Sequence, residues 1–353
     1  MKEPNPFLKL KDNSFWKKSD TPIWMTSSFF LQRNLASLPF PHKMTRADSL
    51  QSLNTLKQAL LQSKILNAPE YYEFDNITSA QREFLLEYFL ATHEMKNPEC
   101  ITAIVIDESG SFLAIINGED HLILHSIDAH SGWKEAWKKL SNIETDMATH
   151  HSFAYSHKFG YLTSDLANSG TALTVQAFLH LPCLIQLDQI EEVLIKELDD
   201  EVQASSLSGN HEFIGDIVIL QNKFTLGVAE DHILEGVHKS ANKLVSLEKT
   251  LRSHLIETPN ALIVDKISRA IGLLKHSYQI EIKESLNALS FIKLGIDLKW
   301  INGLSDQDLN QILFDVRRGH LSLSSDEEIP KEKLAQKRAK FLQLALKPIE
   351  SNP

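Results

Sequence analysis

The sequence has little cysteine: Cys100 and Cys183 are the two in 353 residues. That excludes a disulfide framework and makes a reducing cytoplasm the expected location. Positive charge is also short, with 36 Lys plus Arg against 46 Asp plus Glu and a formal charge of -10. Such a chain does not attract nucleic acid or anionic membrane as a whole. The same background works against ATP unless a pocket concentrates cations. Long apolar runs are missing too; stretches such as Ile101 to Ile106 are of strand length, far short of a membrane span. The opening residues, MKEPNPFLKLKDNSFWKKSD, carry no apolar core of the signal-peptide kind. Repeats and low-complexity tracts are lacking.

What is present is an ordinary globular balance, 42% hydrophobic and 23% charged, at a length suited to two domains. The first forty residues are rich in Pro, Phe and Trp without a period, and read as an irregular arm. Thr45 to Leu66 has helical spacing, with Leu50, Leu53, Leu56, Leu60 and Leu61 on one stripe. A second helix starts at Thr78, where Thr78 and Gln81 form a capping-box pattern and Phe84, Leu85 and Phe89 make the apolar face. The period then changes. Residues 101–107 and 111–117 read as strands joined by the turn Asp107-Glu-Ser-Gly110. Strands near 121–127 and 212–222 follow, with a helix around Glu135-Ala-Trp137 between them. Neighbouring strands on short turns imply an antiparallel sheet with helices on its face, an α+β fold. From His232 onward helical segments near 232–257, 260–278, 281–295, 305–317 and 330–346 dominate, with a polar linker from Ser322 to Pro330. The expected division is residues 1–255 and a helical domain of residues 256–353.

Gly160 to Pro182, GYLTSDLANSGTALTVQAFLHLP, resembles the signature GYLTxCPTNxGTGLRASVxxHLP of arginine and creatine kinases. INGEDHL (116–122) is similar to VNEEDHIR, and LQNKFTLGVAEDHI to ISNQxTLGxSEEDI. EAWKKLSNIETDM and FAYSHKFGYLT match connecting text in the same order. Ile271-Gly-Leu-Leu-Lys275 and Phe291-Ile-Lys-Leu-Gly295 fit the bacterial branch. The chain thus resembles the bacterial protein-arginine kinases (McsB type) of the ATP:guanido phosphotransferase, or phosphagen kinase, superfamily, from about Ser27 to about Lys340. The resemblance implies a helical N-terminal region, a phosphagen-kinase-like antiparallel sheet flanked by helices, and a helical C-terminal domain used for dimerisation. It also implies a homodimer, and a Clp unfoldase and a zinc-finger kinase activator as partners.

Phosphoryl transfer to a guanidinium needs a carboxylate to align the acceptor, cations on the transferring phosphoryl, and Mg-ATP held in line. In this family an arginine cage binds the phosphates. Its first motif, SSRIRLARN, aligns with Thr26 to Asn34, which places Ser28 and Phe30 where arginines belong and keeps Arg33. An alignment with a gap would shift the replaced positions by one. Further cage arginines are matched by Ile123, Thr174 and Ala204, and a nucleotide-contacting histidine by Phe89. Asp165 stands where the motif has cysteine, and Gly209 where it has a substrate-binding acid. Glu119 matches the catalytic carboxylate. A charge-assisted hydrogen bond contributes roughly 1.5–3 kcal/mol, so losing three nominally removes about 4.5–9 kcal/mol. Millimolar binding corresponds to about 4.1 kcal/mol, and the terms are not additive. The expectation is a pseudokinase serving as a dimeric adaptor or scaffold in stress response or regulated proteolysis, with no cofactor. The alternative is an active protein-arginine kinase using Mg-ATP, its site rewired through Arg33, Lys43, Arg46 or Lys223 or completed by a partner. A third reading places a less anionic ligand in a pocket lined by Phe30, Phe89 and Ile123.

Plainer readings stand beside these. Glu119 also reads as a surface turn residue, and Asp165 as a solvated loop acid. His150, His151 and His157 lack a ligand spacing, so no metal is expected. His121 and His180 read as structural and Cys183 as a buried small hydrophobe. Lys331 to Lys340 reads as a solvated helix face. In active relatives an RDxxRA motif there binds phosphoarginine. Leu334-Ala-Gln-Lys-Arg-Ala339 keeps its second Arg-Ala pair and lacks the first Arg-Asp pair.

Overall fold

The segment expected to be an irregular arm contains a strand, β1 (Trp24–Arg33), buried along almost its whole length. A strand covered on both faces shows no polar–apolar alternation, which is why WMTSSFFLQR hides its period. The computed structural model describes residues 6–12, 21–90, 100–129, 132–207, 212–323 and 329–351. The central part of the linker expected between Ser322 and Pro330 lies outside them. The other sheet strands are β2 (Glu70–Glu73), β3 (Ala103–Ile106), β4 (Phe112–Ile116) and β5 (Leu122–Asp128). A two-stranded hairpin, β6 (Tyr155–Ser156) and β7 (Gly160–Tyr161), precedes β8 (Leu173–His180), β9 (Val202–Ser206) and β10 (Ile217–Asn222). The eight-stranded sheet has the order β2-β3-β4-β5-β1-β8-β10-β9. The pairings of β2 with β3, β3 with β4, β4 with β5 and β5 with β1 are antiparallel. The helices are α1 (Leu8–Asp12), α2 (Arg46–Gln62), α3 (Ser79–Tyr88), α4 (Trp133–His150), α5 (Pro182–Gln186), α6 (Ile190–Glu197), α7 (Glu230–Glu257), α8 (Ala261–His276), α9 (Ile282–Asp297), α10 (Asp306–Asp315), α11 (Arg318–Leu323) and α12 (Lys331–Ala345). Residue 255, the expected division, falls in the last turn of α7.

Backbone contacts group the chain into two compact units interleaved along the sequence. One holds Ser27–Gln176 and Asn222–Gly236. Within it the N-termini of α2 and α3 are fixed by full capping boxes, Thr45 with Asp48 and Thr78 with Gln81. The α2 stripe is narrower than expected: Leu53, Leu56 and Leu60 are buried, whereas Leu50 and Leu61 are exposed. The predicted turn forms as well, with Gly110 at positive φ donating its N–H to the Asp107 carbonyl. On α4, Leu140, Ile143 and Met147 make the buried face.

The other unit holds Met1–Thr26, Ala177–Gln221 and Val237–Pro353. Its interior carries a chain of polar groups. Arg252 on α7 bonds Glu248 at 2.9 Å, pairs with Asp297, and donates to the His180 carbonyl at 3.0 Å. Both oxygens of Glu248 accept backbone N–H groups at the start of α5, from Cys183 and Leu184. The His180 Nε2 lies 2.8 Å from the Ser290 hydroxyl, which donates to Asp216. Gln186 donates to the second Asp216 oxygen, and Lys266 donates to Gln186. Lys293, fully buried, pairs with Asp306. Burial raises the Cys183 thiol well above its ordinary value, so this cysteine is inert.

Candidate functional site

The turn between β4 and β5 carries Glu119. It is closed by Asn117, in a left-handed conformation, donating its N–H to the His121 carbonyl. Asp120 beside it is fully buried and organises the surroundings. One of its oxygens accepts from Gln32 at 2.9 Å. The other accepts from Asn34 at 2.6 Å and from the Ser164 N–H at 2.7 Å. The Ser164 hydroxyl then donates to the Glu119 carbonyl at 2.7 Å. The end of β1, the turn and the loop holding Asp165 are thereby tied into one corner. Glu119 remains solvent-accessible. Partial burial raises its carboxyl above the ordinary value first, and the carboxylates of Asp120 and Asp165 add to the rise. Asp165 itself caps a short turn by accepting from the Ala167 N–H.

The positions matched to cage arginines are packed. Strand register sets Phe30 opposite His125 and Gln32 opposite Ile123. The Phe30 ring stacks on His125 with centroids 3.9 Å apart, and Phe89 meets the same imidazole at 5.8 Å. Ser28 reaches the far nitrogen of His125 at 2.7 Å. Phe30, Phe89 and Ile123 are 2%, 0% and 0% exposed. Both rings pack on His125 and all three side chains are buried, which argues against an apolar ligand cavity between them. Thr174 is buried in β8. Ala204 lies in β9 of the other unit and is half-buried, and Gly209 is outside the described residues.

Arg33, the retained arginine, is 1% exposed. Its Nε donates to Glu144 at 2.9 Å, and its Nη1 to the carbonyls of Gln32 at 2.8 Å and Thr171 at 3.1 Å. The guanidinium lies 3.5 Å from the Tyr161 ring centroid, and Tyr161 in turn bonds Glu144. Lys43, Arg46 and Lys223, weighed as substitute cations, are all exposed. Reading the sequence missed Glu144, Tyr161, Asp120 and His125. Asp120 was visible inside INGEDHL, Tyr161 inside GYLTSD and Glu144 inside EAWKKLSNIETDM, but each lies far along the chain from the residues it holds, and His125 lies outside these motifs.

The remaining singled-out residues have structural partners. His121 accepts the Leu35 N–H at Nδ1 and meets the Pro39 carbonyl at Nε2. Burial lowers it to about 4, so it is neutral. Arg338 is buried and donates to the carbonyls of Val316 and Ile280, at 2.8 and 2.9 Å. Among the described residues no group of three or more His, Cys, Asp or Glu could hold a metal ion, and no helix is long and apolar enough to cross a membrane.

Solved structures with this fold include lombricine kinase, with a TM-score of 0.57 at 20% identity over 66% of this chain and 68% of that one. The duplicated taurocyamine kinase from Schistosoma mansoni with bound transition state analog components gives 0.59 at 18% identity, over 78% of this chain and 46% of that one. The fold is therefore that of the phosphagen kinases. Residues 52–251 match the family model "ATP:guanido phosphotransferase, C-terminal catalytic domain", and residues 260–353 match "Protein-arginine kinase McsB C-terminal domain". The protein-arginine kinase of Chlamydia pneumoniae is 33% identical over 349 residues, covering 96% of each chain. That of Chlamydia muridarum is 32% identical over 334 residues, 93% of this chain and 92% of its own. That of Halalkalibacterium halodurans is 30% identical over 338 residues, 94% of this chain and 95% of its own. The chain belongs to the protein-arginine kinase family of ATP:guanido phosphotransferases.

Proposed function

We propose that this family member is a pseudokinase that acts as a dimeric adaptor or scaffold in regulated proteolysis or stress response. The observation that carries the reading is the packed cluster of Ser28, Phe30, Phe89, Ile123 and His125, where the family resemblance places phosphate-binding groups. A phosphate tail is highly charged and needs guanidinium forks or comparable donors. Stacked rings at those positions offer none. Arg33 would have to leave Glu144, two carbonyls and the Tyr161 face to reach a nucleotide, and breaking a buried pair costs about 3–5 kcal/mol. The partner classes that fit an adaptor of this family are a Clp unfoldase and a zinc-finger activator, with a second copy of the chain as the dimer mate. On this reading no cofactor is bound and the site of action is cytoplasmic.

A second reading has one observation in its favour. Glu119 is accessible and its carboxyl is raised, which suits a general base for a guanidinium. Cations supplied by a partner would then complete an Mg-ATP site, as an arginine finger does with a rate effect of about 10³–10⁵. Titration with Mg-ATP to millimolar nucleotide, by calorimetry, separates the two. The expected result is no saturable heat, with or without a zinc-finger activator, and no phosphoarginine formed on a protein substrate. Saturable binding together with arginine phosphorylation that Glu119→Gln abolishes would establish the second reading instead.

A further inference from the structure

A cavity of about 470 Å³ lies between the β6–β7 hairpin, Gly170–Thr171 and the entry to α7, in the same unit as Glu119 but lined by none of the positions matched to the cage or to the catalytic carboxylate. Its floor is backbone held in direct contact. A Cβ on Gly160 would lie 2.5 Å from the Gly170 carbonyl oxygen, and one on Gly170 2.2 Å from that of Thr225. Paired hydrogen bonds between Tyr161 and Gly170, and one from Thr171 to Thr225, lock these segments. The site is thus preformed, and its volume is in the usual range for a binding site.

Two features of the lining point to one chemistry. The first is aromatic: Tyr155 and Tyr161 pack edge to face at 5.4 Å, and Phe159 stands beside them. Such rings attract a cation over their faces. The second is a carboxylate with no salt bridge of its own among the described residues: Glu230 lines the cavity half-buried. Burial raises its carboxyl; Arg33, already spent on Glu144, pulls it down, while Glu144 and Asp231 push it up. Lys158 is not among the charges that shift it; its ammonium sits 5.1 Å from the Phe159 ring centroid and forms no ion pair among the described residues. The mouth is also apolar beyond the needs of a small ion. Tyr155, Phe159 and Leu226 of the lining are exposed, and so is Phe224, two residues before Leu226. Exposed apolar patches of this kind mark protein contacts.

We propose that this cavity docks a segment of a partner protein that presents an arginine or lysine beside an apolar side chain. The cation enters along the aromatic wall towards Glu230, and the apolar neighbour covers Phe224 and Leu226. The inference stands whether or not the Glu119 corner turns over ATP.

The test is an NMR titration of the full chain with acetyl-Gly-Arg-Phe-Gly amide, its citrulline analogue, arginine amide and inorganic phosphate. The arginine peptide is expected to bind saturably. Exchanging arginine for citrulline, or making Glu230→Gln, is expected to weaken it about tenfold. Phe159→Ala, at an exposed hairpin position, is expected to weaken it comparably; should that variant not fold, Tyr155→Leu reads the same wall. No saturable binding, equal binding of the citrulline peptide, or binding unchanged by the Glu230 and aromatic variants would overturn the proposal. Arginine amide binding as tightly as the peptide would overturn docking of a protein segment in favour of a small cation. Competition by millimolar phosphate would overturn the sign of the charge.

Discussion

Two regions of this molecule bury polar residues in opposite ways. Around His125, where the resemblance places a cage for phosphate, β1, β5 and the end of α3 bring together Phe30, Ile123 and Phe89, and the interior is held by packing. Around Arg252, in the other unit, charges stay inside, and each is matched: Arg252 by Glu248 and Asp297, Lys293 by Asp306. Charge at full burial is met here by fixed partners: opposite charges for Arg252 and Lys293, hydrogen-bond donors for Asp120. A cage that meets its partner only when nucleotide arrives has no such partner between visits, so arginines there need a functional reason to persist.

The comparison breaks most readily at Arg252. Arg252→Ala leaves Glu248, completely buried, with its charge uncompensated, and is expected to cost about 3–5 kcal/mol in urea unfolding. A loss below about 1 kcal/mol would mean that the ionic region contributes no more than a surface pair does. Next comes Phe30→Ala, which opens a cavity beside His125 and is expected to cost about 3–5 kcal/mol by the same measurement. A near-neutral result would mean that the ring lies over an adaptable space of the kind a ligand could enter.

Much of this was legible in the amino-acid order, for identifiable reasons. Capping boxes are local, so the starts of α2 and α3 were visible at Thr45 and Thr78. Helical period is local as well: α8 and α9, read near 260–278 and 281–295, run over Ala261–His276 and Ile282–Asp297. Burial on both faces erased the signal of β1, and β8 went unread for the same cause, being buried at every position. At the candidate site the motif letters located Glu119 and Asp165 but not the state of Arg33. Its neutralising partner Glu144 is 111 positions away on α4, and no spacing rule joins a strand end to a distant helix. The cavity beside Tyr155 was equally invisible, because three separate backbone segments build it.

The finest test of the comparison is a pH dependence. In the ionic region the Ser290 hydroxyl donates to Asp216, so it accepts from His180, which must carry its proton on Nε2. The bare Nδ1 then faces Arg252 at 3.3 Å, and burial, followed by Arg252 and Lys293, holds His180 well below its ordinary value. Asp216 is shifted the other way: burial raises it from 3.8 to about 6, against the hydrogen bonds from Ser290 and Gln186. Between those values the folded chain holds a proton there that the unfolded chain has lost. The Asp216 contribution is therefore fully present below pH 3.8 and declines as pH rises through about 6, by on the order of 3 kcal/mol. His180 slopes oppositely below 6.5, so the wild-type curve alone hides both. Asp216→Asn isolates one of them. The amide puts an NH2, with one more hydrogen than the protonated acid has, into a buried site built around Ser290 and Gln186, so the variant loses about 1–3 kcal/mol in acid. As pH rises from 4 to 7 it should recover relative to wild type, to near equality or better. Parallel curves of melting temperature against pH for the two proteins would show that Asp216 is ionised in the fold at every pH in that range, and that the ionic region neutralises this carboxylate as fully as it does Glu248.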